Sequence, residues 1–256
     1  MAFWLRGSGS ARLIARAAVG GAAALSLSEL AACDSSKVNE VVERLGSHVK
    51  QMKEGAATDR GERQGVEVFT VKDYNAHRNK GGLPVVRMGK ATIKAPVDDV
   101  AQFWWNINAR KTWDPSTNDS QLVKAMSNDC RLVYLQGKPK AGGMISSRDM
   151  CYTMHRLSGR AAGSVIFVQV NERDGVPTTK ASVRGDVNSY LMLEPEGPAL
   201  TKVSYAVELD IKGWLPASVV EKAADEMPLT LAVMRDAIEK FVSDGEHLTM
   251  EEAAQV

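Results

Sequence analysis

Four histidines, His48, His77, His155 and His247, and three cysteines, Cys33, Cys130 and Cys151, are the side chains of this 256-residue sequence best suited to acid–base, nucleophilic or metal chemistry. Their spacing does not organise such chemistry. Two histidines sit in the N-terminal section and one in the C-terminal tail, and no HExxH motif, nucleophile elbow or glycine-rich phosphate loop accompanies them. Three cysteines are an odd number without metal-ligand spacing, which points to free or buried thiols and not to a zinc site or a disulfide framework. His155, in a strand-like stretch, is the one histidine placed to act as an interior acid or base, and a satisfied structural histidine is the commoner outcome there. The sequence therefore implies a protein without catalytic residues, metal or cofactor.

The charge balance narrows the partners. With 32 basic against 31 acidic residues and a net charge of +1, the chain generates no field strong enough to make nucleic acid its main partner. Recognition must come from shape. A composition 44% hydrophobic and 25% charged supports one substantial core. The expected organisation is a targeting segment over 1–33, one domain over 34–243 and a polar tail over 244–256.

The elements that would position a site can be read from periodicity. Val38, Val41, Val42, Leu45, Val49 and Met52 recur at helical spacing and predict an amphipathic helix. Gly55 to Gly65 is polar and glycine-bounded and reads as a loop. Val66, Val68 and Val71 begin extended structure, and a second strand runs from Val85 to Ala95. Pro96 opens a helix carrying Val97, Val100, Ala101, Trp104 and Trp105 that stops before Trp113-Asp114-Pro115. Val203, Tyr205, Val207, Leu209 and Ile211 alternate with polar residues, giving a strand with one buried and one wet face. Looser strand patterns lie at 121–126, 130–136, 147–157, 164–170 and 187–193. Strands in direct succession imply an antiparallel meander and not βαβ units. Pro216 to Ser243 carries an apolar face from Val219 to Phe241, a long helix that Pro228 should kink near Met227. The fold class is α+β, with a curved antiparallel sheet wrapped around the last helix.

The first 33 residues hold Arg6, Arg12 and Arg16 among Ala, Gly and Ser, with no acidic residue before Glu29. Three readings compete. A mitochondrial transit peptide fits the basic, acid-free segment; the run from Ala17 to Leu27 followed by Leu30-Ala31-Ala32-Cys33 could serve export or lipid attachment through Cys33; or the start is merely disordered. Glu29 beside the apolar run weighs against export, which leaves mitochondrial import as the expectation.

Several motifs together resemble a known family. Arg110-Lys111-Thr112-Trp113-Asp114, Ser147-Arg148-Asp149-Met150, Val183-Arg184-Gly185 and Asp210-Ile211-Lys212-Gly213-Trp214-Leu215-Pro216 stand in the order and spacing of StAR-related lipid transfer (START) domains. The resemblance covers roughly Ser35 to Ser243, and the last motif is similar to that of the sterol-handling branch. It implies a helix-grip fold with a tunnel between sheet and final helix, in which a monomer holds one lipid, a sterol, phospholipid or relative, and touches membranes transiently. A helix-grip enzyme of the aromatase or cyclase kind is the alternative.

Physical chemistry explains the need for a tunnel. An eighteen-carbon chain gains about 14 kcal/mol from burial at ~0.8 kcal/mol per methylene, so escape into water is slow and a dry cavity removes that obstacle. The resemblance implies a cavity lined by Tyr134, Leu135, Tyr152, Met154, Phe167, Tyr190, Met192, Tyr205, Met227, Leu231 and Met234. Trp113, Asp114, Arg148, Asp149, Arg184, Asp210, Gly213, Trp214 and Pro216 are its structural landmarks. The last helix and the loop 171–179 would form the gate. One departure is evident: an acidic residue and an arginine of sterol-handling relatives correspond here to Leu135 and Met154. Losing both together avoids an isolated buried charge. Any polar anchor must then come from elsewhere, with Tyr134, Gln136, Tyr152, Tyr190 and Tyr205 as candidates.

Overall fold

The computed structural model describes residues 34–71, 85–139, 143, 145–173 and 182–243. The leader with Cys33, the tail after Ser243, and residues 174–179 of the expected gate loop lie outside them.

Helix α1 (Ser35–Lys53) starts where Asp34 accepts a 2.8 Å hydrogen bond from the Ser36 amide, the N-cap arrangement that satisfies an otherwise unpaired backbone donor. It buries Val38, Val41, Leu45, Val49 and Met52, the stripe that periodicity marks. Lys50 and Lys53 occupy its last turn, where positive charge suits the helix dipole.

Ten strands among the described residues form one sheet. They are β1 (Thr58–Arg63), β2 (Val66–Thr70), β3 (Val85–Ile93), β4 (Thr117–Ser127), β5 (Cys130–Gly137), β6 (Arg148–Ser158), β7 (Val165–Asn171), β8 (Val183–Arg184), β9 (Asp186–Pro195) and β10 (Thr201–Asp210). Their order is β1-β2-β3-β10-β9-β7-β6-β5-β4, with β8 paired in parallel to β6. Two expectations need correction. The polar stretch read as a loop contains β1, an edge strand exposed along its whole length that carries no burial period to announce it. The sheet is also not a plain meander. After β3 the chain crosses through helix α2 (Val97–Trp105), a short 3-10 turn (Ile107–Ala109) and helix α3 (Arg110–Trp113) to the far edge, and β10 returns to pair with β3 from Leu209↔Val85 to Thr201↔Ile93.

The wet face expected of β10 is also corrected: Ser204 and Ala206 on that face are buried, and both faces of the central strands are covered, so alternation sorts side chains between two layers. One layer, holding Val203, Tyr205, Val207 and Leu209, packs against Trp104 and Trp105 of α2 and the C-terminal helix. The other, with Phe69, Met88, Val168, Val170, Tyr190 and Ala206, packs under α1. Each large apolar side chain buried in these layers contributes about 1.5–3 kcal/mol.

The C-terminal helix is broken as the proline requires. Helix α4 (Ala217–Glu226) passes into a 3-10 turn (Met227–Leu229) and then α5 (Thr230–Ser243), which buries Leu231, Ala232, Met234 and Ile238. Pro228 lacks the amide that would continue the helix, and it sits on Gly89 of β3. A Cβ at position 89 would lie 2.8 Å from Pro228 Cβ, so glycine is what lets the break seat on the sheet.

Helix α4 is also tied to the sheet by charge. Arg87 of β3 is only 1% exposed; its Nε donates to Asp225 at 2.6 Å and its Nη1 to Thr70 Oγ1 at 3.2 Å, while Nη2 pairs with Glu221. Arg60 of β1 adds a 2.8 Å bond to Asp225. Burial pushes the Asp225 carboxyl up, but the hydrogen bonds from Arg60 and Arg87 outweigh it and hold it below the usual aspartate value.

Candidate functional site

A cavity of about 440 Å³ lies between the inner face of the sheet and the helices α3, α4 and α5. Leu135 of β5, Met150 of β6, Leu209 of β10, Ile211, Met227 and Leu229 supply apolar wall, and Arg110, Asp114, Tyr205 and Thr230 supply polar wall. Its size falls within the range of pockets that enclose one small organic molecule, roughly 300–1,000 Å³. It continues into an outer depression between Pro115, Ser116, Lys138, Pro139 and Ile145 on one side and Ser218, Val219, Lys222, Ala223 and Glu226 of α4 on the other. Helix α4 is therefore one lip of the mouth.

The charged part of the polar wall is built by one turn of helix. Arg110 and Asp114 are four residues apart, and Arg110 Nε donates to Asp114 Oδ2 at 3.1 Å. The guanidinium carbon lies 5.0 Å from the ring centre of Trp104 and 5.4 Å from that of Trp113, and Nη2 donates to Thr230 Oγ1 at 3.1 Å, joining α3 to the start of α5. Asp114 also accepts from the Ser116 amide at 3.0 Å, Ser116 Oγ at 2.6 Å and Thr117 Oγ1 at 3.0 Å. Burial raises its pKa, yet the Arg110 charge and these bonds outweigh burial, so the carboxylate stays ionised. Tyr205 packs edge-on to Trp104 at 6.1 Å, and burial pushes its phenol up to about 12. Tyr152 is fully buried on the same face of β6 as Met150, and burial raises its pKa as well.

The structure divides the residues that the sequence marks for the cavity. Leu135, Tyr205 and Met227 line it. Tyr152, Met154, Phe167, Leu231 and Met234 belong to the same inner layer, fully buried behind the lining. Tyr190 and Met192 differ from expectation: they lie on the opposite face under α1, where the Tyr190 ring meets Gly46. Tyr134 also faces away, because its neighbours Val133 and Leu135 point inward and successive strand residues alternate. Gln136 shares that outer face and donates to Ser182 at 2.5 Å. Met150 and Arg110 are cavity residues the sequence reading did not select as lining, although the period of β6 and the i,i+4 charge pair were available signals.

The landmark residues organise backbone. Trp113 stacks beside Phe103 at 5.1 Å and flanks Arg110. Arg148 donates to Ile211 O at 3.1 Å, Lys212 O at 3.3 Å and Ser146 O at 2.6 Å, which holds the β10–α4 turn against the cavity wall. In that turn Asp210 accepts from the Lys212 amide at 3.0 Å and Gly213 takes φ 81°, a value glycine adopts without strain. Pro216 caps α4, and Trp214 is 95% exposed. Asp149 points to the outer face and pairs with Arg184 at 2.9 Å. His155 is on that outer face too, bonded to Thr153 Oγ1 at 2.9 Å, and so stands outside the cavity. Burial pushes the Cys151 thiol up to about 12, which leaves it unreactive. Among the described residues, no group of three or more His, Cys, Asp or Glu could hold a metal ion, and no helix is long and apolar enough to cross a membrane.

Comparison with known proteins agrees with this geometry. The chain is similar to steroidogenic acute regulatory protein of Xenopus laevis, 24% identical over 148 residues, and spans about half of it, 51%, with 56% of its own length. It is similar to ceramide transfer protein of Mus musculus, 24% identical over 211 residues that cover 74% of this chain and 33% of that protein. The solved structure of human STARD10 superposes with a TM-score of 0.66 at 17% identity, covering 78% of this chain and 80% of the other, a likeness of fold. The START domain model matches residues 67–238, which include the inner face of the sheet, the Arg110–Asp114 pair and the broken C-terminal helix, and this chain belongs to the START domain family.

Proposed function

We propose that this protein binds one lipid in the cavity beneath α4 and carries it between membranes without changing it chemically. The observation that carries the reading is a largely apolar cavity that has the Arg110–Asp114 pair in its wall and continues into an outer depression against a short helix. Such a site removes the water-exposed step that slows lipid escape from a bilayer. Admission requires α4 to move. The 3-10 turn at Met227–Leu229 is the hinge, and the Arg87 cluster holds the closed position. Any contribution of loop 171–179 would add to that gate.

Trp214 is 95% exposed in the turn between β10 and α4, two residues after Lys212, and Lys138 and Lys222 line the outer depression. An amphipathic indole flanked by lysines suits the headgroup region of a membrane, and we assign transient docking to this end. The protein would act as a monomer, directed to mitochondria by residues 1–33, with attachment through Cys33 as the competing address. The enzymatic alternative is disfavoured by the position of His155 across the sheet from the cavity.

Native mass spectrometry of the full chain after incubation with mixed sterol and phospholipid vesicles tests the reading. A one-to-one lipid complex is expected. A folded protein that retains no lipid would refute it.

A further inference from the structure

Charge is distributed unevenly along the cavity. Arg110 and Asp114 form an ion pair and cancel. Toward the outside the balance tips. The cavity and the outer depression share Ser116, Lys138, Ala223 and Glu226 and so form one continuous space. Among its described lining residues, Arg110, Lys138, Arg148 and Lys222 are set against only Asp114 and Glu226, which leaves two positive charges in excess.

These cations lack counter-ions. Arg148 gives its N–H groups to neutral oxygens, those of Ile211 O, Lys212 O, Ser146 O and Ser146 Oγ, and burial lowers its pKa with no carboxylate opposing the effect. Lys138, just past β5, and Lys222, on α4, stand on opposite sides of the depression. Neither ammonium has an ion pair or a hydrogen bond among the described residues. Lys212, in the turn before α4, is instead paired with Asp186 and Asp210. Glu226, the one carboxylate among the described residues of the depression, is already engaged.

A lipid whose tail fills the apolar cavity brings its polar end to this mouth. A hydroxyl or a carbonyl oxygen there can accept a hydrogen bond from either lysine, but neither supplies the missing negative charge. An anion does, and hydrogen bonds between ionised partners are roughly twice as strong as neutral ones. A phosphocholine head adds a further cation beside the lysines and gains less.

We infer that the carried lipid is acidic, with a phosphate, sulfate or carboxylate head held between Lys138 and Lys222 at the mouth and its tail in the cavity. The inference rests on the lipid-carrier reading above and narrows it. Because Lys222 rides on α4 and Lys138 adjoins the sheet, the same anion would draw the two lips together over a loaded lipid, whereas the empty mouth sets two cations against each other.

The test measures equilibrium binding of the full chain to two matched series, presented below micelle-forming concentration or on cyclodextrin: dodecyl phosphate, dodecanoate, dodecylphosphocholine and dodecanol, and cholesteryl sulfate and cholesterol. Within at least one series the acidic compound should bind about tenfold tighter than the alcohol at low salt, the factor that two solvent-exposed charge contacts supply, and high salt should shrink that advantage. The double variant Lys138→Gln, Lys222→Gln should keep the native melting temperature, because both side chains are exposed, and should lose the advantage. Equal binding of acid and alcohol in both series, an advantage that survives in the double variant, or retention of phosphatidylcholine from vesicles with neither series bound would overturn the inference and leave the carrier reading standing. Co-sedimentation with neutral and acidic vesicles separates the other source of anions: a lysine-dependent preference for acidic vesicles, with no preference among the dispersed compounds, would give the lysines to the membrane surface and overturn the inference as well. Retention of no lipid at all would remove both.

Discussion

Replacing Asp225 with asparagine separates two roles of the charge cluster beneath α4. In the native protein Asp225 accepts from Arg87 at 2.6 Å and Arg60 at 2.8 Å, with Arg63 3.6 Å away, and Arg87 is 1% exposed. Removing one partner of a buried ion pair costs about 3–5 kcal/mol because the remaining charge is left uncompensated. Arg87 keeps Glu221, which is one-fifth exposed, and the asparagine oxygen can still accept one bond. The low end, about 3 kcal/mol, is therefore expected, a large share of a typical total of about 5–15 kcal/mol. Urea unfolding should show a lower midpoint at unchanged m-value. If α4 is the gate, the variant should also release bound lipid faster, by up to about 100-fold at 1.4 kcal/mol per tenfold, because the lost contacts hold only the closed state. Arg63→Met, at the exposed edge of the cluster, should cost well under 1 kcal/mol and serves as control. The native cluster also carries a pH signature. Asp225 has a folded pKa below its unfolded value, so its contribution is present above the unfolded pKa of about 3.9 and is lost as pH falls through the folded one. A destabilisation below about 0.5 kcal/mol would refute the energetic argument, since that is the range of ordinary surface substitutions. Destabilisation with unchanged release would refute α4 as the gate.

Three other outcomes follow from the same geometry. Gly89→Ala places a methyl against Pro228 and should destabilise by about 1–3 kcal/mol, read by thermal unfolding, with a larger effect on lipid release than substitutions elsewhere on β3. His155 is held down to a pKa of about 4 by burial, below its unfolded value of about 6.5. Stability should therefore decline as pH falls from the unfolded value toward the folded one, by at most about 3 kcal/mol, and His155→Asn should flatten that part of the profile. Trp214→Ala should weaken vesicle co-sedimentation while leaving melting temperature and lipid retention unchanged, because its side chain is 95% exposed and supports no core. Unaltered vesicle binding would remove the docking assignment.

Much of the fold was legible in local pattern. The stripe from Val38 to Met52 marked α1, alternation from Val203 to Leu209 marked β10, and Pro228 marked the break between α4 and α5. Strand β1 was hidden because both its faces are wet, so Thr58–Arg63 carries no apolar period. Arg110 and Asp114 were visible as an i,i+4 pair, but nothing local said that they line a cavity. The acidic partners of Arg87 lie 134 and 138 residues away, beyond any local signal.

The sequence by itself determined the type and order of the longer helices and strands, because the contrast between apolar and polar residues repeats within them; β1, which lacks that contrast, escaped it. The landmark motifs added the family. Only the tertiary structure decided which side of each strand meets the cavity. With α1 on one face and the C-terminal helix on the other, both faces of the central sheet are apolar, and the contrast that reveals an exposed side disappears. Tyr190 and Tyr205 are equally buried tyrosines on neighbouring strands, yet one packs beneath α1 and the other lines the cavity. Register and helix packing make that assignment, because a side chain's face follows from parity along its strand and from which helix covers that face.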